Sequence, residues 1–450
     1  MKKKSKPLAF DDDDEDWELD DEEEIDDIID DDDEELDEEE EESPRRKRRS
    51  AANFKKVKKP KKKGGPVVTT FKWAARVLIV FGVVLLLFLP GSGMDDVRDD
   101  IGLETLKNLV RPFRRFPEWT NVSMRVNYDL VIQGGKAQEV TLKVAPPFDI
   151  RGNQSSDFII QDVYEVDLVR QPDGPTYDFN TDKNTMTYWQ IINDRGQFNF
   201  SATYSLKLYT YQWDITEEDS GTVDQIPMDY KMRYLDDEWM VRDSEGNHID
   251  HNQDGYLDFR YHPSHPDINR TAHEIVDGET NVVGMISSIY DWIQENLHYP
   301  DEEERDRDIN IYGEWPKYPT GCMADGFGDC DDQSLLMASL CRAVGIPAWL
   351  EIGYLYDPVY RSWGGHGWFN VAIPVKTDQG IQIIRAPIDP VNKEFLFRDP
   401  YRITDWIDTG LPITVDGETM FNLDYYYNYY SDRKSNYVSV EKSVTYESLM

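Results

Sequence analysis

The sequence predicts an α+β protein in which a β-sandwich-like region precedes a mixed helix-and-strand domain, both carried behind an apolar span and a charged tail. Three observations predict this. Apolar side chains alternate with period two in long stretches of residues 119–235. From Asn269 onward the apolar spacing becomes three and four, and strands follow again later. Val77 to Met94, "VLIVFGVVLLLFLPGSGM", is 18 residues without a charge, between a basic run and a cluster of aspartates.

Residues 1–72 form the tail. Positions 11–42 hold 26 Asp or Glu, and residues 45–76 hold 14 Lys or Arg. Neither block buries enough apolar surface to offset its ordering entropy, so both are predicted disordered. Residues 73–94 form a transmembrane helix. With Ala74 and Ala75 the apolar stretch reaches bilayer length, Arg76 can snorkel, and Trp73 suits the headgroup level. More than 70 residues precede it, which argues against a cleaved signal peptide. The positive-inside rule places the tail in the cytoplasm and residues 95–450 outside, as a single-pass membrane protein. The basic run then reads as a topology signal with affinity for anionic lipid. Outside, acids outnumber bases about two to one, which argues against phosphate-backbone contacts and so against a nucleic-acid partner. Sequons at Asn121, Asn153, Asn199 and Asn269 all fall in this outer part.

Residues 95–118 read as a helical stalk. In residues 119–235, Val122, Met124, Val126, Tyr128, Leu130 and Ile132 alternate with polar neighbours, Gly134–Gly135 signals a turn, and Val140, Leu142 and Val144 alternate again. Phe198, Phe200, Ala202, Tyr204, Leu206 and Leu208 repeat the pattern, which predicts a sandwich. Residues 236–267 form a linker. In it, Asp250, Asn252, Asp254, Tyr256 and Asp258 take positions one, three, five, seven and nine of a calcium loop, with Gly255 at the turn. Tyr261 stands where a bidentate glutamate would close such a loop, so the alternative is an Asx-rich turn without an ion. His248, His251, His262 and His265 lie nearby, without the cysteines or regular second pair that would support zinc.

Residues 268–410 form the mixed domain, with 411–450 as a C-terminal extension. Val282, Met285, Ile286, Ile289, Trp292, Ile293 and Leu297 repeat at helical spacing, and a polar loop leads to "GDCDDQSLLMASLCRAVGIPAWLEIGY". Leu336, Met337, Leu340, Cys341, Ala343 and Val344 form the apolar stripe of a helix that Gly345 and Pro347 stop. Cys330 sits in its first turn, where free N–H groups favour a thiolate and Asp329, Asp331 and Asp332 oppose one. His366 is the sole histidine after Cys330, at the start of a strand, and Asp389 ends the next strand. A nucleophile, a base and a base-orienting carboxylate are what acyl transfer needs. Cys341 is a core residue, and eleven helical residues keep it from Cys330; Cys322 either bonds Cys341 in an oxidising exterior or stays free.

These blocks resemble the transglutaminase-like, papain-related superfamily, in a membrane-anchored, prokaryote-type form. In that family a cysteine at a helix start is followed by H-x-W on one strand and an aspartate, usually D-P, on the next. "GDCDD", "GGHGWFNVAIP" and "IDP" place Cys330, His366 and Asp389–Pro390 on those positions in that order. The helix of Ile275–Leu297 matches the one that usually precedes the cysteine. The resemblance spans residues 268–410 and implies a papain-like fold, with the Cys330 N–H in the oxyanion hole. Asp399, also followed by proline, is a weaker substitute for Asp389.

The expected function is a surface-anchored cysteine protease or acyltransferase acting on amide bonds of proteins, peptides or the cell envelope. It requires no cofactor; calcium would be structural. The alternative is a catalytically inactive surface binding module on the same fold, with "FNLDYYYNYYS" (Phe421–Ser431) as an adhesive patch or as strands that pad the domain.

Overall fold

The structure, a computed structural model, describes residues 116–152, 158–171, 176–180, 183–241, 248–312, 315–357, 361–415, 418–427, 430–433 and 439–448. The tail 1–72, the span 73–94 and the stalk up to residue 115 lie outside the described residues. Among the described residues, no helix is long and apolar enough to cross a membrane.

Two strands of unusual length, Trp119–Val144 and Thr185–Tyr209, form the centre of a seven-stranded antiparallel sheet. Ile159–Gln171, Ile150–Arg151 and Thr176–Asn180 extend it from one side. The far end of the chain completes it: Tyr430–Arg433 and Ser439–Ser448 both pair with Trp119–Val144. The predicted sandwich is therefore one sheet. The alternation is real: Met124, Val126, Leu130, Ala202, Tyr204 and Leu208 are fully buried while their neighbours are not. Their buried face is covered from the mixed domain, by Tyr354, Trp363 and Ile403, rather than by a second sheet of the same region. The Gly134–Gly135 pair does not end its strand. Gly134 has φ 80°, and the register shifts between Ile132 and Ala137, so the pair makes a bulge, which uses the same positive φ as a turn.

The mixed domain has a five-stranded antiparallel sheet in the order Glu394–Phe395, Gly380–Asp389, Ser362–Thr377, Ala348–Asp357, Arg402–Ile407. Helices Pro266–Val276, Val282–Asn296 and Cys330–Ala343 share one apolar core with it. Leu335, Leu336, Met337, Leu340 and Cys341 of the last helix are all fully buried. The helical run from Ile275 to Leu297 is broken: Asp277 (φ 42°) and Gly278 (φ 83°) end one helix, and Asn281 caps the next by accepting from Gly284 N–H. The predicted polar loop after Pro300 contains two further helices, Glu302–Tyr312 and Pro319–Asp325. Glu302, Glu303 and Glu304 in the first turn complement the dipole of the former, and Pro319 preorganises the first turn of the latter.

Two side-chain amides join the sheets. Gln161 Nε2 donates to Thr404 O at 2.7 Å and its Oε1 accepts from Thr404 N at 2.8 Å. Asn184 does the same at Ile407, at 2.8 and 2.9 Å. Each amide stands in for a missing strand on the outer edge of Arg402–Ile407, so these buried backbone groups stay paired.

Candidate active site

Each residue around Cys330 has a local task. Asp329 is the N-cap of helix Cys330–Ala343 and accepts from Asp332 N–H, while Asp332 reaches back to Asp329 N–H at 3.0 Å. This is a capping box made of two aspartates. The other Asp332 oxygen accepts from Lys317 N–H at 2.6 Å. A Cβ on Gly328 would lie 2.6 Å from Asp332 Cβ and 2.7 Å from Cys322 Sγ, so the close approach requires glycine. The result presents Cys330 at the first helical position, half-buried, with the Gly367 backbone hydrogen-bonded to its sulfur.

Burial, then the charges of Asp329 and Asp331, push the Cys330 thiol well above the ordinary thiol range, against the pull of Gly367 N–H and the helix terminus. Both effects favour the neutral thiol over the thiolate. Burial likewise raises Asp332 to about 7, and Asp331 adds to the shift. Asp331 also accepts a hydrogen bond from Tyr427 Oη at 2.5 Å.

Strands Ser362–Thr377 and Gly380–Asp389 are ladder neighbours, which brings the other two residues together. His366 Nε2 lies 2.6 Å from Asp389 Oδ2, and both side chains are buried. Burial alone would raise the Asp389 carboxyl. The adjoining His366 and Arg402 instead hold it well below the usual carboxylate range, so it is ionised. Asn392 donates to Asp389 through its backbone at 2.9 Å and through Nδ2 at 2.8 Å. The His366 ring stacks with Trp368, centroids 5.9 Å apart. Nε2 is engaged by Asp389, which leaves Nδ1 as the nitrogen with proton-accepting capacity. Asp399 is buried beside Glu394 and Arg402, and accepts from Tyr401 N–H.

A cavity of about 290 Å³ is lined by Cys330, Asp331, His366 and Gly367. Five tyrosines, Tyr128, Tyr354, Tyr426, Tyr427 and Tyr446, also line it. Sequence reasoning missed these tyrosines. Tyr426 and Tyr427 lie on a short helix, Asn422–Tyr427, within the stretch expected to be an adhesive patch or padding strands. Its buried Leu423 and Tyr425 anchor it, and Tyr426 Oη donates to the buried Asp405 at 3.2 Å. Arg402 and Asn392 were missed as well; a lone arginine in the otherwise strand-like "RITDWI" was the available signal.

The proposed calcium ligands are used locally. Asp250 accepts from Asp254 and Gly255 N–H, Asn252 from Asp254 N–H, Asp254 from Tyr256 N–H, and Asp258 from His251 N–H. His265 Nε2 meets Asp254 at 2.9 Å and its Nδ1 caps helix Pro266–Val276. Asp250, Asp254 and Asp258 do not bring one oxygen each within 4.8 Å of one another; among the described residues that convergence occurs at Asp329, Cys330 and Asp331. Such hydrogen bonds are shared by calcium loops and by Asx-rich turns without an ion, and no step below depends on an ion there. His262 is also buried, and that burial lowers it to about 4. Cys322, Cys330 and Cys341 are all free thiols.

Residues 269–380 match the model of the transglutaminase-like superfamily, a stretch that includes Cys330 and His366 and ends before Asp389. No curated protein matches the chain. Two solved structures are similar to it. A candidate cysteine protease from Cytophaga hutchinsonii is 14% identical with a TM-score of 0.44, over 74% of this chain and 93% of that one. A candidate protease from Parabacteroides distasonis is 10% identical with a TM-score of 0.22, over 67% of this chain and 50% of that one.

Proposed function

We propose that the chain is a membrane-anchored cysteine peptidase, with Cys330 as nucleophile, His366 as base and Asp389 as the group that orients the base. The observation that carries this reading is the buried 2.6 Å pair of His366 and Asp389 on the cavity that Cys330 also lines. Starting from the thiol, which burial and the nearby aspartates favour, His366 Nδ1 takes the proton as sulfur attacks the amide carbonyl. The oxyanion that forms meets the unpaired Cys330 N–H at the positive end of the helix. The C–N bond then breaks, the amine leaves with the proton from His366, and the acyl group stays on sulfur. Water attacks the thioester, with His366 again as base, and releases a carboxylic acid and the free thiol. A primary amine in place of water would give transamidation through the same residues. Residues 73–94 would anchor the cavity outside the cell.

The test uses intact cells carrying the full chain, with a peptide library supplied outside and new termini read by mass spectrometry. Cleavage that disappears in Cys330→Ala is the expected result. Cleavage that survives the substitution overturns the nucleophile, and cleavage that appears only after lysis overturns the topology.

A further inference from the structure

Asp389 has a second buried ionic partner besides His366. Arg402 Nη2 donates to Asp389 Oδ2 at 2.7 Å and to Glu394 Oε2 at 2.8 Å. Its guanidinium lies over the Trp368 ring at 4.6 Å, the same ring that stacks with His366. Arg402 and Asp389 are both fully buried. Yet Arg402 Nε and Nη1, also buried, have no hydrogen-bond partner. A buried guanidinium with two idle donors is a poor way to stabilise a fold, since apolar residues of similar volume do as well or better at no desolvation cost.

We infer that Arg402 is a positioning residue for the base: through Asp389 on one side and Trp368 on the other it fixes the plane and the ionised partner of His366. This rests on the proposed role of His366. The Asp389 carboxylate meets His366, Asn392 and Arg402 and its charge reaches Cys330 and Glu394, while Arg402 in turn feels Glu394, Asp399 and Glu351. Without Arg402, burial and the nearby carboxylates act on Asp389 with one fewer cation to offset them. Its carboxyl then protonates at a higher pH, and the imidazole loses its orienting charge there. Removing Arg402 alone leaves Glu394 without its ion-pair partner, so Arg402→Met is made both singly and with Glu394→Gln, and Arg402→Lys keeps the charge on a different stem.

The readout is the rate of Cys330 alkylation by iodoacetamide across pH, on the full chain, with adduct mapping to exclude Cys322 and Cys341. His366→Ala is run in parallel. The double variant is expected to stay folded at about 25 °C with a lowered thermal transition and to react about tenfold more slowly near neutral pH, the scale of a small misplacement of a reacting group. Its acid limb should move to higher pH, and Arg402→Lys should restore part of the rate. Slow alkylation in His366→Ala with wild-type rates and profile in the double variant overturns the role of Arg402 and leaves the base intact. A wild-type rate in His366→Ala overturns the base itself, and the role of Arg402 with it.

Discussion

The two sheets solve the same packing problem with opposite materials. The large sheet follows the alternation rule, apolar inward and polar outward, along strands of 26 and 25 residues. The smaller sheet buries Asp389, Glu394, Arg402 and Asp405 among its aromatic and aliphatic side chains. All six residues of Arg402–Ile407 are buried, including an arginine, an aspartate and a threonine. Buried charge is costly even when paired. The contrast teaches that the large sheet packs apolar side chains inward and lends Tyr128 and Tyr446 to the cavity wall, while the other gives up stability to hold an ionised carboxylate beside an imidazole.

That contrast can be broken or sharpened by substitution. Phe200→Ala empties a site of 1% exposure in the large sheet and should cost about 3–5 kcal/mol in chemical denaturation. The alkylation profile of Cys330 in the still-folded protein should not move; a changed profile would mean the large sheet tunes the site as well. Gln161→Ala removes the amide that serves Thr404 and should cost about 1–3 kcal/mol. Because Arg398 also bonds Gln161 Oε1 and Thr404 Oγ1, this loss should couple to Arg398→Met in a double-mutant cycle, and additive effects would separate the two sheets energetically. Asp331→Asn should leave stability nearly unchanged. It removes a charge that raises the Cys330 thiol, so the alkaline limb of its alkylation should shift to lower pH. An unmoved limb would mean that burial and Asp329 set the thiol without Asp331.

The sequence was most legible where the signal is local. Asp329, Cys330 and Asp332 declare a helix start through capping chemistry, and the buried stripe behind them follows helical periodicity. His366 and Asp389 end up together because a short "KTDQG" turn makes their strands ladder neighbours. Long-range pairing was not legible. Nothing local in Ser439–Ser448 announces that it pairs with Met124–Gln133, and without that pairing residues 119–235 look like a self-contained sandwich. Tyr427 was unreadable for the same reason: its partner, Asp331, lies 96 residues earlier. Asp277–Gly278 could have been read as a helix break, since both residue types accept positive φ. The apolar periodicity on either side of it masked the gap.

The return of Ser439–Ser448 to the first long strand also sets an order of events during synthesis. Cys330, His366 and Asp389 leave the ribosome before Tyr426, Tyr427 and Tyr446, which wall the cavity. At about 5–20 residues per second, several seconds separate the nucleophile from the last of these walls. During that interval the cysteine helix exists without its tyrosine enclosure or the Tyr427 hydroxyl on Asp331. The nascent chain therefore carries Cys330, His366 and Asp389 well ahead of the tyrosines that enclose them, and the cavity is complete only once Ser439–Ser448 has paired with Trp119–Val144.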